Sequence, residues 1–288
     1  MMTCPCRSMI VMLLAVGVVL VGPAGSQTTP PAAPAIGPTT QPAATTPGPS
    51  IEVSQPPEFT ELAAKASKLK GAYVKGTAIV TGGEEGELPP ELRRIEFEIW
   101  AQPPAAKLTF PPPFSEVRVT DGKFVYTLRE EAGGKGVGRR RLLTTANYYH
   151  ALELAAVICD AANGYKNLAA AVRFAPIDFQ SEHAKKLGTL KWFELIPVVR
   201  PTHHLLTGTR TVKVGIGTDD GMMRILVGER EHEEKKSTVT VVFDTLRKDQ
   251  IAAAALKLPA AAAKAEWEDA DTRKLISVPK NIIEPPKP

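Results

Sequence analysis

Two spacings alternate along the chain. Phe59, Leu62, Ala63, Ala66 and Leu69 recur at helical intervals from Pro57, and Gly71 stands where that helix should stop. The apolar positions then fall on every second residue. Ile95, Phe97 and Ile99 alternate with Arg94, Glu96 and Glu98, and Val117 and Val119 alternate with Glu116, Arg118 and Thr120. Asp121-Gly122 follows and leads into Lys123, Phe124, Val125 and Tyr126. That is a hairpin signal, because the pair accepts the positive φ angles of a tight turn. Residues 72–81 and 107–110 suit two further strands. The pattern turns helical over 148–159 and 164–172, with a break at Asn163-Gly164, and strands resume at 189–199, 211–216, 222–227 and 238–243. Asp219-Asp220-Gly221 forms another turn between the second and third of these. No βαβ rhythm occurs, so the pattern predicts an α+β fold on one large antiparallel sheet. A sheet of about eight strands curls rather than lying flat.

The concave face of that sheet is expected to carry Ile95, Phe97, Ile99, Val117, Val119, Phe124, Tyr126, Trp192, Val212, Val214, Val239 and Val241. On the residues alone a packed core is the simpler reading of this set, and a ligand cavity must be argued from elsewhere.

The ends read differently from the body. Arg7, an apolar run over 10–21 and the small residues Pro23-Ala24-Gly25-Ser26 have the layout of a secretory signal peptide over 1–26. The alternative is an uncut N-terminal membrane anchor, although the run is about a dozen residues and a span needs ~20. Cys4 and Cys6 precede the run, so neither is placed for lipidation. Residues 27–56, with Pro30, Pro31, Pro34, Pro38, Pro42, Pro47 and Pro49, read as a disordered linker that cannot bury enough apolar surface to fold. The domain is expected over 57–259, followed by an Ala- and Pro-rich tail over 260–288. Trp267, Leu275, Ile276 and Ile282 could dock that tail on the body, while its proline finish looks solvated.

Composition removes most chemistry. With Lys+Arg 35 against Asp+Glu 31, the formal charge of +4 gives no electrostatic case for binding nucleic acid. Three cysteines, of which only Cys159 follows the leader, provide neither a disulfide framework nor a multi-Cys metal module. His150, His183, His203, His204 and His232 stand in no metal-binding frame. Cys159 lies in an apolar helical stretch, the ordinary setting of an inert thiol. Gly133-Gly134-Lys135-Gly136-Val137-Gly138 lacks the ending of a phosphate-binding loop and reads as a flexible hairpin loop. Arg139, Arg140 and Arg141 follow it, either as a solvated loop edge or as a rim that grips an anionic head group. No catalytic set, cofactor or metal site emerges, and the expectation is a protein that is not an enzyme.

The order of elements is similar to a known family. Phe97-Glu98-Ile99-Trp100-Ala101-Gln102-Pro103-Pro104, then Lys107, then Val119-Thr120-Asp121-Gly122-Lys123 with Tyr126, resembles the LolA/LolB-like lipoprotein carriers of the periplasm. Thr218-Asp219-Asp220-Gly221 with residues 222–227, the strand at 239–243 and Asp249-Gln250-Ile251 resemble that family's later hairpin, closing strand and final turn. The resemblance implies a curved, incomplete antiparallel β-barrel wrapped over a helical lid, with a hydrophobic cavity for acyl chains. It also implies that Lys107 stands where the carriers use an arginine to tie lid to barrel. Parity conflicts with that role, since an inward Lys107 turns Leu108 and Phe110 outward unless a bulge intervenes.

The expected function is an exported, periplasmic protein that binds acyl chains of a lipid or lipoprotein and carries or presents them, touching membranes only transiently. The alternative is an envelope protein-interaction or stress-sensing module, RseB-like, on the same fold without lipid cargo. In either case no cofactor is expected, and an envelope protein is a possible partner.

Overall fold

The computed structural model describes residues 54–82, 89–130, 136–144, 147–198, 211–232, 235–248 and 250–284. The expected signal peptide, nearly all of the expected linker, Gly133-Gly134-Lys135 and the His203-His204 pair lie outside the described residues. Helix α1 (Pro57–Ala66) starts on a proline, which has no N–H to leave unpaired in the first turn, and buries Phe59, Leu62, Ala63 and Ala66. Six strands follow in a meander: β1 (Ala72–Gly82), β2 (Arg94–Gln102), β3 (Ala105–Phe110), β4 (Glu116–Thr120), β5 (Phe124–Glu130) and β6 (Gly136–Leu142). Three short helices come next, α2 (Tyr148–Leu152), α3 (Leu154–Ala162) and α4 (Lys166–Ala171). A second meander contains β7 (Val172–Pro176), β8 (Leu190–Pro197), β9 (Thr211–Gly217), β10 (Met223–His232) and β11 (Lys235–Arg247). Two short strands, β12 (Glu266–Asp269) and β13 (Leu275–Ile276), end the fold.

These 13 strands belong to one sheet in the order β13-β12-β6-β5-β4-β3-β2-β1-β11-β10-β9-β8-β7. Antiparallel pairing of β1 with β11 joins the two meanders, with Ala78 opposite Val241 and Val80 opposite Val239. Strand β12 pairs with β6 in parallel. The sheet is not closed, and its edges are β7 and β13. This is the α+β architecture expected from the sequence: a curved, open barrel wrapped over helices. The β4–β5 hairpin turns at Asp121-Gly122, with Gly122 at φ 88° and the Asp121 carboxylate accepting from Lys123 N and Phe124 N.

The β7 edge is answered by the chain itself. Gln55 donates from Nε2 to Ala169 O (2.9 Å) and Val172 O (2.7 Å), and its Oε1 accepts from Phe174 N (3.1 Å). One side-chain amide thus stands in for a neighbouring strand.

The inner face of the sheet is buried, and parts of its outer face are covered by different elements. The helices cover the inner face, with α3 lying against β2, β3 and β10 and α1 against α3. On the outer face, a strap from Leu258 to Ile282 covers β4, β5 and β6 and forms a cluster with Val119, Tyr126 and Leu128. A third cluster joins Ile225, Val227 and Val242 to Phe179, Ala184, Leu187, Leu190 and Trp192.

The strap revises three expectations. The fold runs past residue 259, because β12 pairs with β6 and Trp267 is only 3% exposed, donating from Nε1 to Ala262 O at 2.9 Å. Gly136 and Gly138 belong to strand β6 rather than to a loop, and Gly138 is glycine because the Trp267 ring lies where a Cβ would be. Arg139, Arg140 and Arg141 are strand residues, not a loop edge.

Trp267→Ala is expected to lower the unfolding free energy by about 3–5 kcal/mol in urea titration. A solvated tail would predict a change within about ±0.5 kcal/mol.

Candidate functional site

Strand parity divides the twelve residues expected on the concave face. Ile95, Phe97, Ile99, Val212, Val214, Val239 and Val241 lie together on the inner face, each no more than 4% exposed, in the cluster that includes α1, α3 and α4. Val117, Val119, Phe124 and Tyr126 face outward and pack under the strap. Trp192 also faces outward, its ring meeting Phe179 at 4.9 Å, while Phe193 and Leu195 of the same strand are buried and Phe193 joins the inner cluster. The misassigned residues share one cause. Alternation shows which residues share a face but not which face is inner, and on β4–β5 the apolar row belongs to the strap.

The inner row of β4 is ionic. Arg118 Nε donates to Glu116 Oε1 (2.5 Å), Nη1 to Ala151 O (3.3 Å), and Nη2 meets Glu153 Oε1 (2.8 Å). Arg129 of β5 pairs with the other oxygen of Glu116. Glu153 is the residue between α2 and α3, so Arg118 ties the helical layer to the sheet. Lys107 does not perform this role. It lies on the outer face with Nζ 3.5 Å from Glu284 and 5.5 Å from the Trp100 ring centre, while Leu108 and Phe110 are buried inside. No bulge interrupts β3, so parity prevailed.

Burial pushes the Glu153 carboxyl up to about 7, against the pull of Arg118. Burial pushes Glu116 the same way, but Arg118 and Arg129 together outweigh it and hold that carboxyl below its ordinary value. A second polar knot joins the helices to one another. Asp160 accepts from Tyr149 OH (2.6 Å), Asn167 N (3.1 Å), Asn167 Nδ2 (3.0 Å) and Leu168 N (2.9 Å). Tyr165 OH donates to Gly221 O (2.9 Å) and accepts from Met223 N (2.8 Å), anchoring α4 to β10. The Cys159 thiol is buried and pushed up to about 12 by that burial, which leaves it unreactive at neutral pH.

A buried arginine thus clasps the helical layer to the inside of an open, mainly antiparallel barrel. The architecture is a curved, open barrel wrapped over helices.

No model of a known protein family matches the chain, and no curated protein does. Among solved structures it is similar to an uncharacterized conserved protein from Thermus thermophilus, at 12% identity over 73% of this chain and 97% of that one, with a TM-score of 0.43. It is similar to the Pseudomonas aeruginosa MucA/MucB complex structure at 11% identity over 71% of this chain and 62% of that one, with a TM-score of 0.39. The chain therefore spans about three-fifths of the length of that relative. It is also similar to the LolA superfamily protein NE2245 from Nitrosomonas europaea, at 7% identity over 69% of this chain and 97% of that one, with a TM-score of 0.31.

The arginine run is split across the sheet. Arg140 points outward, where it donates to Asp269 Oδ2 from Nε (2.9 Å) and Nη2 (2.5 Å) and stacks over Phe124 at 4.7 Å. These bonds hold the Asp269 carboxyl down at about 2. Arg139 and Arg141 pair across from Thr127 and Val125, on the helix-covered side. A three-residue rim is therefore ruled out by alternation. Two clefts open elsewhere: one of about 340 Å³ beside Gln102, Ile251 and Leu256, the other of about 470 Å³ beside Asp178, Phe179 and Trp192. Neither is lined by the seven inner-face residues. Among the described residues no group of three or more His, Cys, Asp or Glu could hold a metal, and no helix is long and apolar enough to cross a membrane.

Arg118→Met is expected to cost about 3–5 kcal/mol in denaturant unfolding, because it strands the buried Glu153 carboxylate and leaves Glu116 with Arg129 alone. Adding Glu153→Met should recover part of that loss, since the stranded charge goes with it.

Proposed function

We propose that the chain is an exported periplasmic protein that binds acyl chains of a lipid or lipoprotein between its helical layer and the inner face of its sheet, and carries or presents them. One observation supports this reading above the others: an apolar helical layer is clasped to an apolar sheet face through a buried ionic cluster at the α2–α3 joint. Ile95, Phe97, Ile99, Val212, Val214, Val239 and Val241 would contact the chains once the helices lift. Burying an acyl chain gains roughly 0.8 kcal/mol per methylene, so a C16 chain supplies on the order of 10 kcal/mol toward displacing the helical layer. Arg139 and Arg141, at the β6 margin of the same side, would receive an anionic head group. Residues 1–26 would direct export, with 27–56 as a tether.

The near-complete burial of those seven side chains favours a second reading, a protein-interaction module of the cell envelope that uses the same fold with its interior filled.

Native mass spectrometry of residues 27–288, purified without detergent, separates the two. Adducts that disappear on organic extraction and match acylated species are expected for the carrier. A bare polypeptide mass, with no uptake of added fatty acid or phospholipid, would instead favour the interaction module. Arg139→Glu with Arg141→Glu should weaken uptake of anionic amphiphiles about tenfold or more relative to neutral ones, as measured by adduct titration.

A further inference from the structure

We infer that seating the α2–α3 layer on β4 takes up a proton at Glu153, so that the lid is a clasp gated by pH. The argument begins with backbone geometry. Glu153 holds φ 49°, ψ −124° between the two helices, a positive φ that an L residue other than glycine adopts only when its surroundings require it. That conformation directs its carboxylate into the sheet, where the residue is 4% exposed.

The carboxylate is incompletely answered there. Oε1 meets Arg118 Nη2 at 2.8 Å, but Oε2 is buried with no hydrogen-bond partner among the described residues. The charged groups facing it are Glu116 and Arg118 from β4 and Arg129 from β5. Arg118 is shared with Glu116 and Ala151 O, and Arg129 is 40% exposed and bound to Glu116. Two carboxylates therefore compete for one buried guanidinium, and Glu116 has the additional partner. A proton on Oε2 removes the stranded charge while Oε1 still accepts from Arg118.

The direction follows from linkage. The closed form holds Glu153 at about 7 against an ordinary 4.5, so it binds more protons than an open form with Glu153 in water. Closure is thus favoured on the acid side and weakens as pH rises from the ordinary value through about 7. The inference rests on reading α2–α3 as a lid, but it does not depend on any lipid.

The test is hydrogen exchange of the amides of α2 and α3 in the purified protein, corrected for intrinsic exchange at each pH. Opening should increase roughly tenfold from pH 6 to pH 8. Glu153→Gln should exchange at a corrected rate independent of pH, at or below the wild-type value at pH 6. A flat wild-type profile, or a slope retained in Glu153→Gln, overturns the inference. Should the variant not fold, a carboxyl ¹³C titration of the wild-type protein decides the matter: titration of Glu153 near neutrality supports the clasp, and titration at the ordinary glutamate value overturns it. Acyl uptake is measured separately, so its absence leaves this result intact.

Discussion

The pairing of β1 with β11 is the constraint on which the rest of the structure depends. It joins residues 72–82 to 235–247, the first strand to the last long one, and so turns two local meanders into one surface. Each meander alone would offer a short apolar row too narrow to cover a helical layer. Joined, β2, β1, β11, β10 and β9 present a continuous inner face that buries α1 and α3. Everything placed on that face, including the ionic clasp at its β4 margin, takes its position from this long-range register.

An interface made only of apolar side chains holds helices without fixing where they sit. Arg118 supplies the missing specification, because its fork must meet Glu116, Glu153 and the Ala151 carbonyl together. Asp160 does the same among the helices, collecting donors from α2 and from the start of α4. Such buried charges add little to stability once desolvation is counted. Their consequence here is geometric: the layer has one seat, and leaving it exposes groups that are readily solvated.

Much of this architecture was legible from spacing. The first helix, the Asp121-Gly122 hairpin, the helical stretch and the later strands all stand where the periodicity puts them, because local alternation and turn chemistry act within a few residues. What escaped was whatever depended on distant partners. Strand β6 looked like a loop because its glycines answer to Trp267, far along the sequence. Val119 and Tyr126 looked inward-facing because an apolar row is ordinarily read as core, and nothing local announces a strap on the other side. Arg118 was overlooked for the complementary reason, since a charge in an alternating strand is ordinarily assigned to solvent, and Glu153 because nothing local marks the break between two helices that turns it toward the sheet. The parity conflict at Lys107 was the one signal that pointed toward the correct register.

An open sheet has two rows of unpaired backbone groups, and an unpaired row can recruit another chain. On β7 the Gln55 amide occupies that row, accepting from Phe174 N and donating to Val172 O. Because Gln55 lies just ahead of α1, the segment that leads into the fold also blunts its edge. Copies crowded at high local concentration would therefore meet along β7 without a ready template for strand exchange, and their solubility depends in part on one neutral side chain.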